Sequence, residues 1–198
     1  MMLIEQTEVA PEALPVAEFR DHLQLGSGFA DDGLQDPVLV TCLRAAIAAV
    51  EAETGKALLS RIFSYSVSTW RDFARQSLPV APVFAVDEVS ITDILGARAI
   101  VAATQYRLVP DYYRPHVVAK GWSLPVIPQG GTAEIVFEAG FGATWDKVPA
   151  DIGQAVLMMA AHFYDHRSAL VERGKALPHG VSALLRRHRP VRLLGGGA

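Results

Sequence analysis

Cysteine occurs once in these 198 residues, at Cys42. A single thiol excludes an intramolecular disulfide framework and a cysteine-based zinc site. Cys42 lies inside a helical pattern, where a small buried hydrophobe is the expected role. No apolar run approaches the roughly 20 residues of a membrane span. The opening MMLIEQTEVAPE is acidic and has neither the basic nor the apolar region of a signal peptide. A soluble protein made in the cytoplasm, with no membrane partner, is expected. A strong charge excess is also missing: the formal net charge is −3, which argues against nonspecific coating of nucleic acid.

Catalytic patterns are missing too. There is no Gly-x-Ser-x-Gly elbow, since Gly26, Ser27 and Gly28 sit in a loop between helical patterns. There is no Walker loop, and Gly195, Gly196 and Gly197 precede no helix that would hold a phosphate. His162 and His166 have the four-residue spacing that puts two imidazoles on one helix face. The residue after the first histidine, however, is Phe163 rather than the glutamate a zincin needs. Asp165 projects away from the pair and no third ligand is evident, so both histidines read as hydrogen-bonded packing residues. Glu134 and Glu138 alternate on one strand and read as a solvated face. Trp70, Tyr112, Tyr113 and Trp122 lie near Arg71, Arg114 and Lys120. Such a set stacks on single-stranded nucleic acid or packs on a protein, and the acidic remainder favours protein. No catalytic, metal-binding or cofactor-binding residue is expected, and no enzyme.

What is present is a globular composition, 51% hydrophobic and 20% charged, with a lopsided charge. Residues 1–56 hold ten acids and three bases, while 167–192 hold seven bases and one acid, Glu172. That split suggests a basic tail meeting an acidic partner, or like subunits meeting head to tail. Residues 14–25 read as a short helix. Asp36 and Pro37 open a helix over 37–54 that stops at Gly55. Its core stripe is Leu39, Leu43, Ala46, Ile47 and Val50. Its second face is small: Thr41, Ala45, Ala48 and Ala52.

From 61 to 141 short β-branched and aromatic runs alternate with prolines, as expected of an inserted antiparallel β subdomain. A helix over 149–167 follows, with Pro149 and Asp151 in its first turn. Ile152, Val156, Met159 and Phe163 form one stripe, and Leu157, Met158 and Ala161 cover the far side. A helix apolar on both faces is covered on both, and in a chain this small another subunit is a candidate for the second cover. A short helix runs through Gly180, Leu184, Leu185 and Arg187 and ends before Pro190. The basic tail around it is expected to order on a partner.

These stretches carry a resemblance. A Gly-rich strand end, then VPADIGQAVLMMAAHFYDHR, then a Gly-Val-x-x-Leu-Leu helix resemble the head–tail connector (adaptor) proteins of long-tailed phages and gene transfer agents. LPVAEFRDHLQL and DDGLQDPVLVTCLRAAIAAVEAETGKALL extend the likeness to nearly the whole chain. It implies an α+β fold: an α-helical connector core with an inserted antiparallel β subdomain and a C-terminal extension. The parts are residues 1–60 (helical core), 61–141 (β subdomain), 142–170 (core helix) and 171–198 (basic tail).

The implied function is that of a virion structural protein at the head–tail junction. It forms a twelvefold ring below the portal through which double-stranded DNA passes without specific binding. The implied partners are further copies of the chain, the portal protein and the next tail-side connector, the stopper. Portal contact is expected from Val181, Leu184, Leu185, Arg186, Arg187, Arg189, Val191, Arg192 and Leu193. Subunit contact is expected from Thr41, Ala45, Ala48, Ala52, Leu157, Met158 and Ala161. Two rivals stay open. Another ring component of the tail, a terminator or tube-associated protein, predicts mostly β-structure with one helix. A small enzyme or ligand-binding α+β protein predicts a pocket with convergent polar groups.

Overall fold

The computed structural model describes residues 1–25, 35–166 and 177–190. It is an α+β structure with four α-helices and two antiparallel sheets, and the chain divides into two compact units. One holds Met1–Val9 and Lys56–Ala143, the other Ala10–Gly55 and Thr144–Ala198. The expected boundary at residue 60 therefore shifts. The first residues leave the helical part because Met2–Glu5 pairs as a strand with Arg61–Val67. Strand pairing needs a partner distant in sequence, so nothing local in MMLIEQ marks it.

The β unit is a sandwich. Its larger sheet takes strands in the order β1 (Met2–Glu5), β2 (Arg61–Val67), β8 (Thr132–Ala139), β4 (Val83–Thr92) and β5 (Arg98–Ile100). Its smaller sheet is β3 (Arg75–Ser77), β7 (His116–Ala119) and β6 (Tyr106–Val109). Period-2 alternation decides which residues face inward. Ala133, Ile135, Phe137 and Ala139 of β8 are buried, and their β2 partners Phe63, Tyr65 and Val67 share that face. Phe63 and Phe137 stack with ring centroids 5.7 Å apart. Leu78, Tyr106, Val117 and Leu124 join the same core.

The helical unit holds α1 (Val16–His22), α2 (Asp36–Thr54), α3 (Ala150–Asp165) and α4 (His179–Leu185). α3 packs on α2 along one side and on α4 along another. Leu39, Leu43, Ala46, Ile47 and Val50 of α2 are buried, as are Ile152, Ala155, Val156, Met159 and Ala160 of α3. Alanines on both helices let the two backbones approach closely. Cys42 is buried. Asp36 lies within the first turn of α2, with Gln35 in the cap position, and its carboxylate takes an ion pair from Arg20. Gly55 ends α2 at φ +65°, the left-handed conformation glycine adopts most readily.

Gly140, just after β8, has φ +143°, and a Cβ there would stand 2.5 Å from Ser60 N and 2.6 Å from Leu59 C. Those are backbone atoms, which cannot step aside. Gly140→Ala is expected to cost about 1–3 kcal/mol or more in chemical denaturation. Gly121→Ala, whose Cβ meets nothing within 4 Å, is expected to leave the midpoint unchanged. Equal midpoints for the two variants would refute the packing described here.

Candidate functional site

The short basic helix is bound to its own unit. α4 crosses α3 so closely that a Cβ on Gly180 would stand 2.6 Å from Met158 Cε. Over Met158, which stays half-buried, part of the second cover of α3 is the chain's own C-terminal helix. Val181 and Leu185 are fully buried. In this fold both side chains fill the chain's own core rather than its surface. Leu184 is half-buried, and Arg186 and Arg187 are exposed. Val191, Arg192 and Leu193 lie outside the described residues, as do Arg167, Arg173 and Lys175.

After α4 the chain makes a 3₁₀ turn, Arg186–His188, pinned at the start of α3. His188 is 3% exposed and its Nε2 lies 2.7 Å from Asp151 Oδ2. Arg187 Nε lies 2.7 Å from the same oxygen. Arg189 Nε lies 2.6 Å from Glu53 Oε1 on α2. Burial pushes the Asp151 carboxyl up, but the hydrogen bonds from His188 and Arg187 outweigh it and hold the group below the ordinary Asp range. Asp151, noted in the sequence as a favourable helix-start charge, is thus also the anchor of the turn 37 residues downstream. A shallow depression lined by Asp151, Ala183, Leu184, Arg186 and Arg187 opens beside it.

The expected subunit-contact residues divide. Thr41, Ala45, Ala48 and Ala52 are all exposed along α2, while Leu157, Met158 and Ala161 are half-buried. His162 and His166 face each other with ring centroids 4.3 Å apart. Among the described residues no group of three or more His, Cys, Asp or Glu is placed to hold a metal ion. No helix among them is long and apolar enough to cross a membrane.

The aromatic set has a use that the sequence did not signal. Lys56 is 2% exposed, and its Nζ sits 3.7 Å from the Tyr112 ring centroid and 4.4 Å from that of Tyr113. It also donates a hydrogen bond to Tyr112 O. Cation–π contact and that carbonyl replace water around the ammonium. Burial still lowers the lysine to about 8, with Asp111 pulling the other way. Trp70 Nε1 donates to Pro125 O at 2.7 Å, whereas Trp122 is 92% exposed. Glu134 is not simply solvated: it accepts from Ser64 and lies 3.4 Å from Arg98.

No protein-family model matches the chain, and no curated protein matches it. Solved structures do. A chain in the neck of an empty gene transfer agent particle, computed with C6 symmetry, is 51% identical, with 99% of each chain covered and a TM-score of 0.89. A chain in the virion of a native gene transfer agent particle is also 51% identical, with the same coverage and a TM-score of 0.86. A third, in the native neck computed with C12 symmetry, is 47% identical over 99% of each chain, at a TM-score of 0.83.

The chain belongs to the head–tail connector family of phage and gene transfer agent particles. It is a structural protein of the particle's head–tail junction, not an enzyme. Its candidate functional sites are contact surfaces, so the electrostatics above bear on how those surfaces are held.

Two outcomes follow. The depressed Asp151 supports the fold above about pH 4, where an unfolded Asp is ionised. That support is lost as pH falls through the lower folded value. Asp151→Asn should remove this acid sensitivity and speed amide exchange in 181–188 about tenfold; unchanged exchange would show that the turn is held by packing alone. Lys56 runs the other way. Between about 8 and the ordinary lysine value near 10.4 the unfolded chain binds the extra proton. The β unit should therefore gain stability as pH rises through that window, and Lys56→Met should flatten the gain in urea denaturation.

Proposed function

We propose that the chain is the adaptor of the neck: a ring, twelvefold in the particle, that sits below the portal and leads DNA from head to tail. The observation that carries this reading is near-complete coverage at 47–51% identity of neck chains computed with C6 and C12 symmetry. A ring needs surfaces rather than chemistry. The exposed small-residue face of α2 (Thr41, Ala45, Ala48, Ala52) is the proposed approach surface for the helical unit of a neighbouring copy. The tail-side partner is the stopper, and DNA passes without a specific site. An acidic N-terminal part suits a conduit, because a wall that repels phosphate does not retain DNA.

The proposed portal contact is the part of the C-terminal segment that its own unit leaves uncovered. Among the described residues that means Leu184 on α4 and Arg186 and Arg187 on the turn after it; Val191, Arg192 and Leu193, outside the described residues, are proposed on sequence alone. An apolar residue among bases fits a groove on a protein better than a phosphate backbone. His188 and Arg189 are positioning residues, the first buried against Asp151 and the second paired with Glu53; Arg187, exposed but paired with Asp151 through Nε, serves both roles.

Leu184→Asp is expected to abolish docking of the purified protein on portal-bearing, tailless heads while leaving its melting temperature within a few degrees of wild type. Arg186→Gln with Arg187→Gln should weaken docking about tenfold and steepen its salt dependence. Leu185→Asp is the contrasting variant, because it buries a carboxylate in the bundle and should lower stability first. Normal docking by a chain truncated at Ser168 would refute the portal assignment.

A further inference from the structure

The β unit is electrically polarised across its two sheets. Ile135 and Phe137 are buried, so Glu134, Val136 and Glu138 of β8 point outward. Glu88 lies opposite Val136 on β4 and shares that outer face. Three acids stand there with one base, Arg98, which pairs with Glu88 and Glu134. The smaller sheet has the opposite sign. Arg75, Val118 and Arg107 form one row across β3, β7 and β6 on its outer face, and Ser77, His116 and Val109 form the next. Arg114 and Lys120 are exposed in the adjoining loops. Two acids offset these bases in part: Asp72 lies 3.2 Å from Arg75, and Asp111 is exposed in the loop that carries Arg114. The Arg75 side chain is 64% exposed, and those of Glu88 and Glu134 are half-buried, at 32% and 34%.

Like charges gathered on one sheet face repel, and an isolated sandwich gains nothing from sorting them. We propose that the two faces are halves of one contact. The acidic outer face of the five-stranded sheet in one copy packs on the basic outer face of the three-stranded sheet in the next copy around the ring. This rests on the ring reading above. A cyclic ring requires heterologous contacts, in which two different patches on each copy meet head to tail. The sandwich carries two such patches on opposite sides, of opposite sign. Each has a half-buried valine within its charged rows, Val136 on one and Val118 on the other. An apolar centre with a polar rim is the usual anatomy of an interface.

The spacing is compatible with closure. Packed sheets lie ~10 Å apart, so one sandwich and one layer between copies take ~20 Å, and twelve copies close a circle of roughly 38 Å radius. Nucleic acid is the rival occupant of the basic face, but it would leave the acidic face without a use.

Two full-length variants test the contact in particles from a producer lacking the wild-type gene. Glu88→Lys with Glu138→Lys makes both faces basic, and Arg75→Glu with Arg107→Glu makes both acidic. Each alone should enter necks roughly tenfold less than wild type, since like-charged faces would meet. Expressed together they can alternate around an even-numbered ring, and incorporation should return to within about twofold of wild type. Normal incorporation of either variant alone would overturn the proposal. So would failure of the mixture when both variants melt like wild type, because the faces would then serve the portal or DNA instead.

A second measurement does not depend on charge reversal. Val118→Cys with Val136→Cys should give a ladder of disulfide-linked copies in oxidised particles, and monomer alone would count against the contact. Absence of the wild-type chain from necks in the same assay would instead overturn the ring reading itself.

Discussion

The helical unit depends on one requirement: α3 is apolar on more than one side and must be covered on each. α2 supplies the first cover through Leu39, Leu43 and Val50, and α4 supplies the second. That second cover consumes Val181 and Leu185, and Gly180 lets α4 pass close enough over Met158 to make it. The described residues after α4 inherit their position from this packing. The turn Arg186–His188 lands on Asp151 because α4 ends there, and Arg189 reaches Glu53 for the same reason. A segment whose composition suits folding on a partner is therefore partly folded on its own chain, and its outward residues are displayed from a fixed base.

The β unit is organised around β8, which has β2 on one side and β4 on the other. Its inner residues meet the second sheet and its outer glutamates meet Ser64 and Arg98. The chain's first strand completes one edge and β5 the other. Both edge strands are short, four and three residues, which limits uncontrolled strand addition. The sandwich is left with two broad faces of opposite charge, the arrangement expected of a unit that repeats around an axis.

The electrostatics separate groups buried within the fold from groups on its surface. Lys56 is caged by Tyr112 and Tyr113, and Asp151 gathers His188 and Arg187. The bases Arg107, Arg114 and Lys120 stay on the surface. A structural ring protein needs the second kind in matched sets, and needs no pKa tuned for proton transfer.

Periodicity and helix punctuation made α2 and α3 legible from the residues alone, because Gly55, Pro149 and the apolar stripes act locally. The α+β class was equally readable. Local signals do not report pairing across long separations. They left β1 unassigned, since its partner lies some 60 residues away. They did not show that α4 packs on α3, since that helix lies beyond a basic stretch that reads as a loop. They left Tyr112 and Tyr113 as surface aromatics, since Lys56 reaches them only through the tertiary fold. The charge split between the two chain ends was visible in the sequence. The sharper split between the two sheets was not, because strand order and register decide which acids and bases share a face.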